Sequence, residues 1–117
     1  MSPKEAVLEK IREKGGWVNT HAHLDRAYSL TKDTFSFTNS YLKEKWHLVD
    51  DMKRNSSVDY IYARMERAIN YFLEQGAQAV GTFIDVDEVI EDRSMIAAQR
   101  LKDNYGKDIE IRFANQV

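Results

Sequence analysis

Trp17-Val18-Asn19-Thr20-His21-Ala22-His23-Leu24-Asp25 is the segment from which the rest of the chain can be read. Trp17, Val18 and Thr20 favour a strand, and Gly15-Gly16 separate it from a helix-like run. Side chains alternate faces along a strand, so His21 and His23 are expected on one side, roughly 6–7 Å apart at the backbone. Two neutral imidazoles converging from one side can hold a divalent ion. A His-x-His pair also arises without any ligand. Its place at a strand end, followed by Leu24-Asp25, favours the metal reading.

Working outward, residues 3–14 read as a helix. Pro3 suits its first turn, Ala6, Val7 and Ile11 form an apolar stripe, and Gly15 is its stop. Strand one covers about 17–22. Residues 25–37 carry Tyr28, Phe35 and Phe37 without a period and read as loop. The spacing of Tyr41, Leu42, Trp46, Val49 and Met52 predicts a helix over 39–53. Ser56, with Asp59 three residues on, echoes a capping box for the next helix. There Val58, Ile61, Tyr62, Met65, Ala68, Ile69, Phe72 and Leu73 make the strongest amphipathic pattern, closed by Gly76.

Residues 77–85 (AQAVGTFID) have small and β-branched residues at both parities, as in a strand covered on both faces. Asp85 or Asp87 can cap a helix over 88–104, with Val89, Ile90, Ala97 and Leu101 inward and Gly106 as its stop. Ile109, Ile111 and Phe113 alternate through a third strand at about 108–114. Strands joined by helical crossovers predict an α/β fold: a right-handed β-α-β-α-β unit with parallel strands and an N-terminal helix, one domain over 1–117. Both sheet edges would stay open, which predicts a homo-oligomer, and the chain stops where another helix is due. It reads as the opening part of something larger.

Of the 117 residues, 43% are hydrophobic and 31% charged, the balance of a globular domain. A net charge of −2 gives no reason to expect nucleic acid or an anionic membrane as partner. The absence of cysteine excludes disulfides, thiolate ligands and a cysteine nucleophile. No apolar run approaches the ~20 residues of a membrane span, and Met1 to Lys10 is unlike a signal peptide, so a cytoplasmic location is expected. No Gly-x-Gly-x-x-Gly or Walker pattern cradles a phosphate. The charge-rich runs LKEKWHLVDDMKR and EDRSMIAAQRLKD read as solvated helix faces.

The segment THAHLDRAY (Thr20 to Tyr28) resembles the first-strand motif of the amidohydrolase superfamily, and more narrowly the cytosine deaminase and N-isopropylammelide amidohydrolase group. The helix with Trp46, the run LEQGAQAVGT, the strand ending FIDVDEV and the final IEIRFANQ are similar to that group in order and spacing. The resemblance implies a partial (β/α)8 TIM barrel and metal-dependent hydrolysis of C–N bonds in a nitrogen heterocycle. It implies His21 and His23 as two ligands of a catalytic Zn or Fe ion, and Gln116 facing a small-molecule substrate. The remaining ligands of such deaminases, a His and an Asp, come from later strands beyond this chain, so the chain alone is expected to be inactive. Related deaminases often read Thr-His-x-Asp on strand two, where this chain has Thr82-Phe83-Ile84-Asp85. The usual N-terminal β-sandwich strands are absent as well.

Asp25 has two readings, a carboxylate steadying an imidazole from behind or a partner of Arg26 capping the next turn. Asp85 either faces the site from the end of its strand or caps the helix at 88. His47, mid-helix between Trp46 and Leu48, reads as a surface or partly packed side chain. Two other functions compete with a deaminase-like enzyme. One is a TatD-like metal-dependent nuclease, whose first strand can also read His-x-His-Leu-Asp. The other is a non-enzymatic module that self-associates through its open edges.

Overall fold

A computed structural model describes residues 1–29 and 50–116, with only the backbone of Gln116. Helix α1 (Pro3–Glu13) opens the chain, held at its start by a reciprocal capping box between Ser2 and Glu5. Its end is a Schellman turn: Gly16 N–H donates to Ile11 O at 2.9 Å and Gly15 N–H to Arg12 O at 3.0 Å. No residue of α1 is buried, and Val7 is 59% exposed. Strand β1 (Trp17–Ala22) follows, then a single 3-10 turn (Leu24–Arg26) where the sequence predicts loop.

The helix expected over 39–53, with Trp46 and His47, lies outside the described residues up to 49; residues 50–55 are helical. Helix α2 (Val58–Glu74) has Ser57, not Ser56, as its N-cap, accepting Tyr60 N–H at 3.1 Å. The Ser56–Asp59 capping box does not form, because the Ser56 hydroxyl turns back to Met52 O at 2.7 Å and closes the preceding helix.

Strand β2 (Ala77–Asp85) is central in a parallel sheet of order β1-β2-β3, with β3 at Glu110–Gln116. Helix α3 runs Arg93–Tyr105 rather than 88–104. The intervening residues form a turn instead, because Asp87 Oδ1 accepts both Val89 N–H and Ile90 N–H at 2.9 Å. Neither Asp85 nor Asp87 caps α3; Asp92 occupies that position without a side-chain bond. Arg93, in a run read as solvated, reaches across to Ser56 O at 2.5 Å and Val89 O at 2.9 Å.

The core is the predicted α2 stripe laid on the sheet: Ile61, Met65 and Ile69 against Val80, Ile84 and Ile111, closed by Ala97 and Leu101 of α3. All of these are 0–2% exposed. Only one sheet face is covered among the described residues. Val80, Thr82 and Ile84 are buried, whereas Ala79, Gly81 and Phe83 alternate with them and are only half-buried. On that second face Val18, Thr20, Ala79, Gly81 and Arg112 line an open hollow. Among the described residues the expected cover on both sides is therefore not found: α2 and α3 pack side by side over the same face. No described helix is long and apolar enough to cross a membrane.

Candidate metal site

Strand β1 enters the sheet with an irregular register. Asn19 pairs with Val80 and Ala22 with Thr82, so three steps along β1 match two along β2. The extra residue is a bulge at Thr20–His21, and the Asn19 side chain braces it by accepting His21 N–H at 3.0 Å. The bulge exchanges the faces. Ala22 packs toward the core, and His21 turns to the side opposite α2 and α3, its ring 5.1 Å from that of Phe83.

His23 lies one residue beyond the strand and comes to the same place. The Nε2 atoms of His21 and His23 stand 3.3 Å apart, with ring centroids 5.3 Å apart. Two nitrogens bound tetrahedrally at the usual zinc–imidazole length are separated by about 3.3 Å, so the donor pair fits one such ion. Among the described residues no group of three or more His, Cys, Asp or Glu side chains gathers around them. The pair is half a ligand set, since catalytic zinc normally takes three protein ligands and a water.

A charged scaffold holds the strand ends beneath the pair. Leu24 N–H donates to Thr82 Oγ1 at 3.0 Å, and Asp85 N–H donates to Asp25 Oδ2 at 2.8 Å. Arg26 grips Asp85 Oδ2 through Nε and Nη2 at 3.0 and 2.8 Å. Lys53, only 8% exposed, sits 3.4 Å from Asp85 and 2.5 Å from Asp87. So within the run LKEKWHLVDDMKR, Asp51 and Arg54 are exposed as expected, but Lys53 is not solvated: it anchors residues 50–55 to the end of β2.

Burial pushes the Asp25 carboxyl above the usual carboxylate range, aided by the neighbouring Asp85 charge and opposed by the Asp85 N–H. Burial also acts against ionised Asp87, but the Lys53 ammonium and two backbone N–H groups outweigh it and hold Asp87 low. Three buried polar atoms have no partner among the described residues: His23 Nδ1, Asp25 Oδ1 and Arg64 Nε.

The predicted site residues separate accordingly. His21 and His23 converge. Asp25 binds the Asp85 backbone and makes no described hydrogen bond to an imidazole; Arg26 turns to Asp85 instead of Asp25. Asp85 is the hub of the ion-pair cluster, and backbone pairing sets Gln116 level with it at the end of β3. Sequence reasoning passed over Asn19 and Lys53, and it set Arg26 beside Asp25 rather than Asp85. Lys53 at helical spacing within a charged run gave no sign that it turns inward.

No protein-family model matches the chain. The chain is 46% identical over 115 residues to an uncharacterized protein of Haemophilus influenzae, a match covering 97% of this chain. It spans 42% of that relative's length.

Proposed function

We propose that this chain is the opening portion of a metal-dependent hydrolase of the amidohydrolase type, acting on a C–N bond of a nitrogen heterocycle. His21 and His23 would hold one Zn or Fe ion. The observation that carries this reading is the 3.3 Å approach of the two Nε2 atoms at the C-terminal ends of parallel strands. Ligands of parallel α/β folds bind at that end of the sheet.

The sheet supports the barrel part of the proposal. Consecutive strand order, with the described helices α2 and α3 on one face, is the arrangement in which the other face lines a barrel interior. A doubly wound sheet reverses its strand order and covers both faces. The matched stretch is 42% of the Haemophilus relative, so most of that protein lies outside it, with room for further strands and ligands.

When bound, the ion supplies the acidification of water that lets hydrolysis run near neutral pH. The chain's own residues orient the pair and fix the site's rim: Asn19 sets the His21 bulge, while Arg26 and Lys53 immobilise Asp85. Gln116, level with Asp85, would face substrate.

Zinc titration of the purified chain, followed by calorimetry, tests the reading. One ion per chain is expected, with binding lost in both His21→Ala and His23→Ala. Unchanged binding in either variant would overturn the assignment. The chain by itself is expected to show no deamination of nitrogen heterocycles, and measurable turnover would sink the view that it is a part. The exposed face around Val18, 49% exposed, also favours a second reading, self-association. Size-exclusion chromatography separates them, since a metal-free dimer supports association and a metal-loaded monomer supports the site.

A further inference from the structure

A histidine that binds metal is normally aimed by an acceptor on its other ring nitrogen, a carboxylate or a carbonyl. Neither imidazole here receives such a bond among the described residues, and the Nδ1 of His23 is buried without a partner. Yet the rotation of an imidazole about its last torsion is soft, so something must hold both rings with Nε2 inward. Among the described residues, the aromatic side chain in ring contact with both imidazoles is Phe83. Its ring centroid lies 5.1 Å from His21 at 58° and 5.5 Å from His23 at 26°, a tilted contact on one side and a stacked one on the other.

We infer that Phe83 is a positioning residue for the histidine pair. It fixes the direction of both imidazoles by ring contact, in place of hydrogen bonds, and walls one flank of the ion site with a group that cannot ligate. This inference rests on the metal reading of the pair. Phe83 is suited to the task by its place on β2. It lies on the sheet face that no described helix covers, where it is half-buried and meets two side chains of the neighbouring strand end. The bulge at Thr20–His21 delivers His21 to that ring; without the extra residue the alternation would carry His21 to the opposite face.

The test compares Phe83→Ala and Phe83→Tyr with the parent by zinc calorimetry, thermal unfolding and NOE spectra of the imidazole protons. Phe83→Ala is expected to weaken zinc binding about 10-fold, in the range seen when residues orienting a ligand are removed, and to lose the NOE between the two imidazoles. Phe83→Tyr keeps the ring and is expected to retain both. A Phe83→Ala chain that melts earlier but binds zinc as tightly as the parent, with the NOE intact, would overturn the inference while leaving the metal reading standing. If the parent binds no zinc, the metal reading fails on its own. Positioning is then decided by the NOE, supported if Phe83→Ala abolishes it and overturned if it persists.

Discussion

The carboxylate of Asp25 accepts the backbone N–H of Asp85 at 2.8 Å, joining two residues 60 apart in sequence. With the bond from Leu24 N–H to Thr82 Oγ1, it ties the turn after His23 to the end of β2. It also puts a carboxylate that is 4% exposed beside a second one, with Arg26 and Lys53 turned to the second.

Because burial raises the folded-state pKa of Asp25, the folded chain holds that proton more tightly than the unfolded chain does. Its contribution to stability is therefore largest below the unfolded value of 3.8 and is lost as pH rises through the folded value. Asp25→Asn stays neutral and can still accept the Asp85 N–H. Urea unfolding between pH 4 and about 7 should show a flatter pH dependence in this variant than in the parent. Asp25→Ala removes the acceptor and is expected to cost about 1–3 kcal/mol.

Lys53 keeps its charge in spite of burial. Burial opposes its charge, but the bond to Asp87 and the Asp85 carboxylate outweigh burial and raise its pKa above 10.5. Its contribution is present below 10.5 and lost as pH climbs through the folded value. Lys53→Met should destabilise the chain at neutral pH by about 1–3 kcal/mol, less than a fully broken buried pair because Arg26 remains on Asp85. Guanidinium unfolding at neutral and at strongly alkaline pH measures both the loss and its disappearance.

Asn19→Ala removes the brace of the β1 bulge, whose acceptor serves an exposed N–H. Water can replace that bond, so stability should fall by no more than about 1 kcal/mol. Zinc affinity should fall further than stability, since the bulge aims His21. Equal affinity in Asn19→Ala and the parent would show that the bulge keeps its form without the brace.

Gly16→Ala meets a backbone obstacle. At φ +93° its Cβ would lie 2.7 Å from Gly76 O, the same oxygen that accepts Trp17 N–H at 3.2 Å. The close approach of the two glycines starts the β1–β2 pairing. The substitution is expected to cost about 1–3 kcal/mol, read as a lower thermal midpoint.

Much of the architecture was legible because it rests on local regularities. The Ile61, Met65 and Ile69 spacing could belong only to a helix with one buried stripe, and the alternation from Ile109 to Phe113 only to a strand. What misled was competition for the same groups. Ser56, Asp85 and Asp87 all have cap chemistry, but Ser56 was taken by Met52 O, Asp85 by Arg26 and Lys53, and Asp87 by Lys53 and a turn. Arg26 lies 59 residues from Asp85 and Lys53 lies 34 from Asp87, and no pattern of neighbours announces either pairing.

The sequence alone determined the order of helices and strands, the parallel sheet and the presence of two imidazoles at one strand end, because each follows from periodicity and short-range spacing. Tertiary structure decided which face those imidazoles occupy, through a one-residue bulge that exists only as a mismatch between β1 and β2. It also decided that Lys53 is buried and that Phe83 touches both rings, since burial and ring contact depend on elements brought together across the chain.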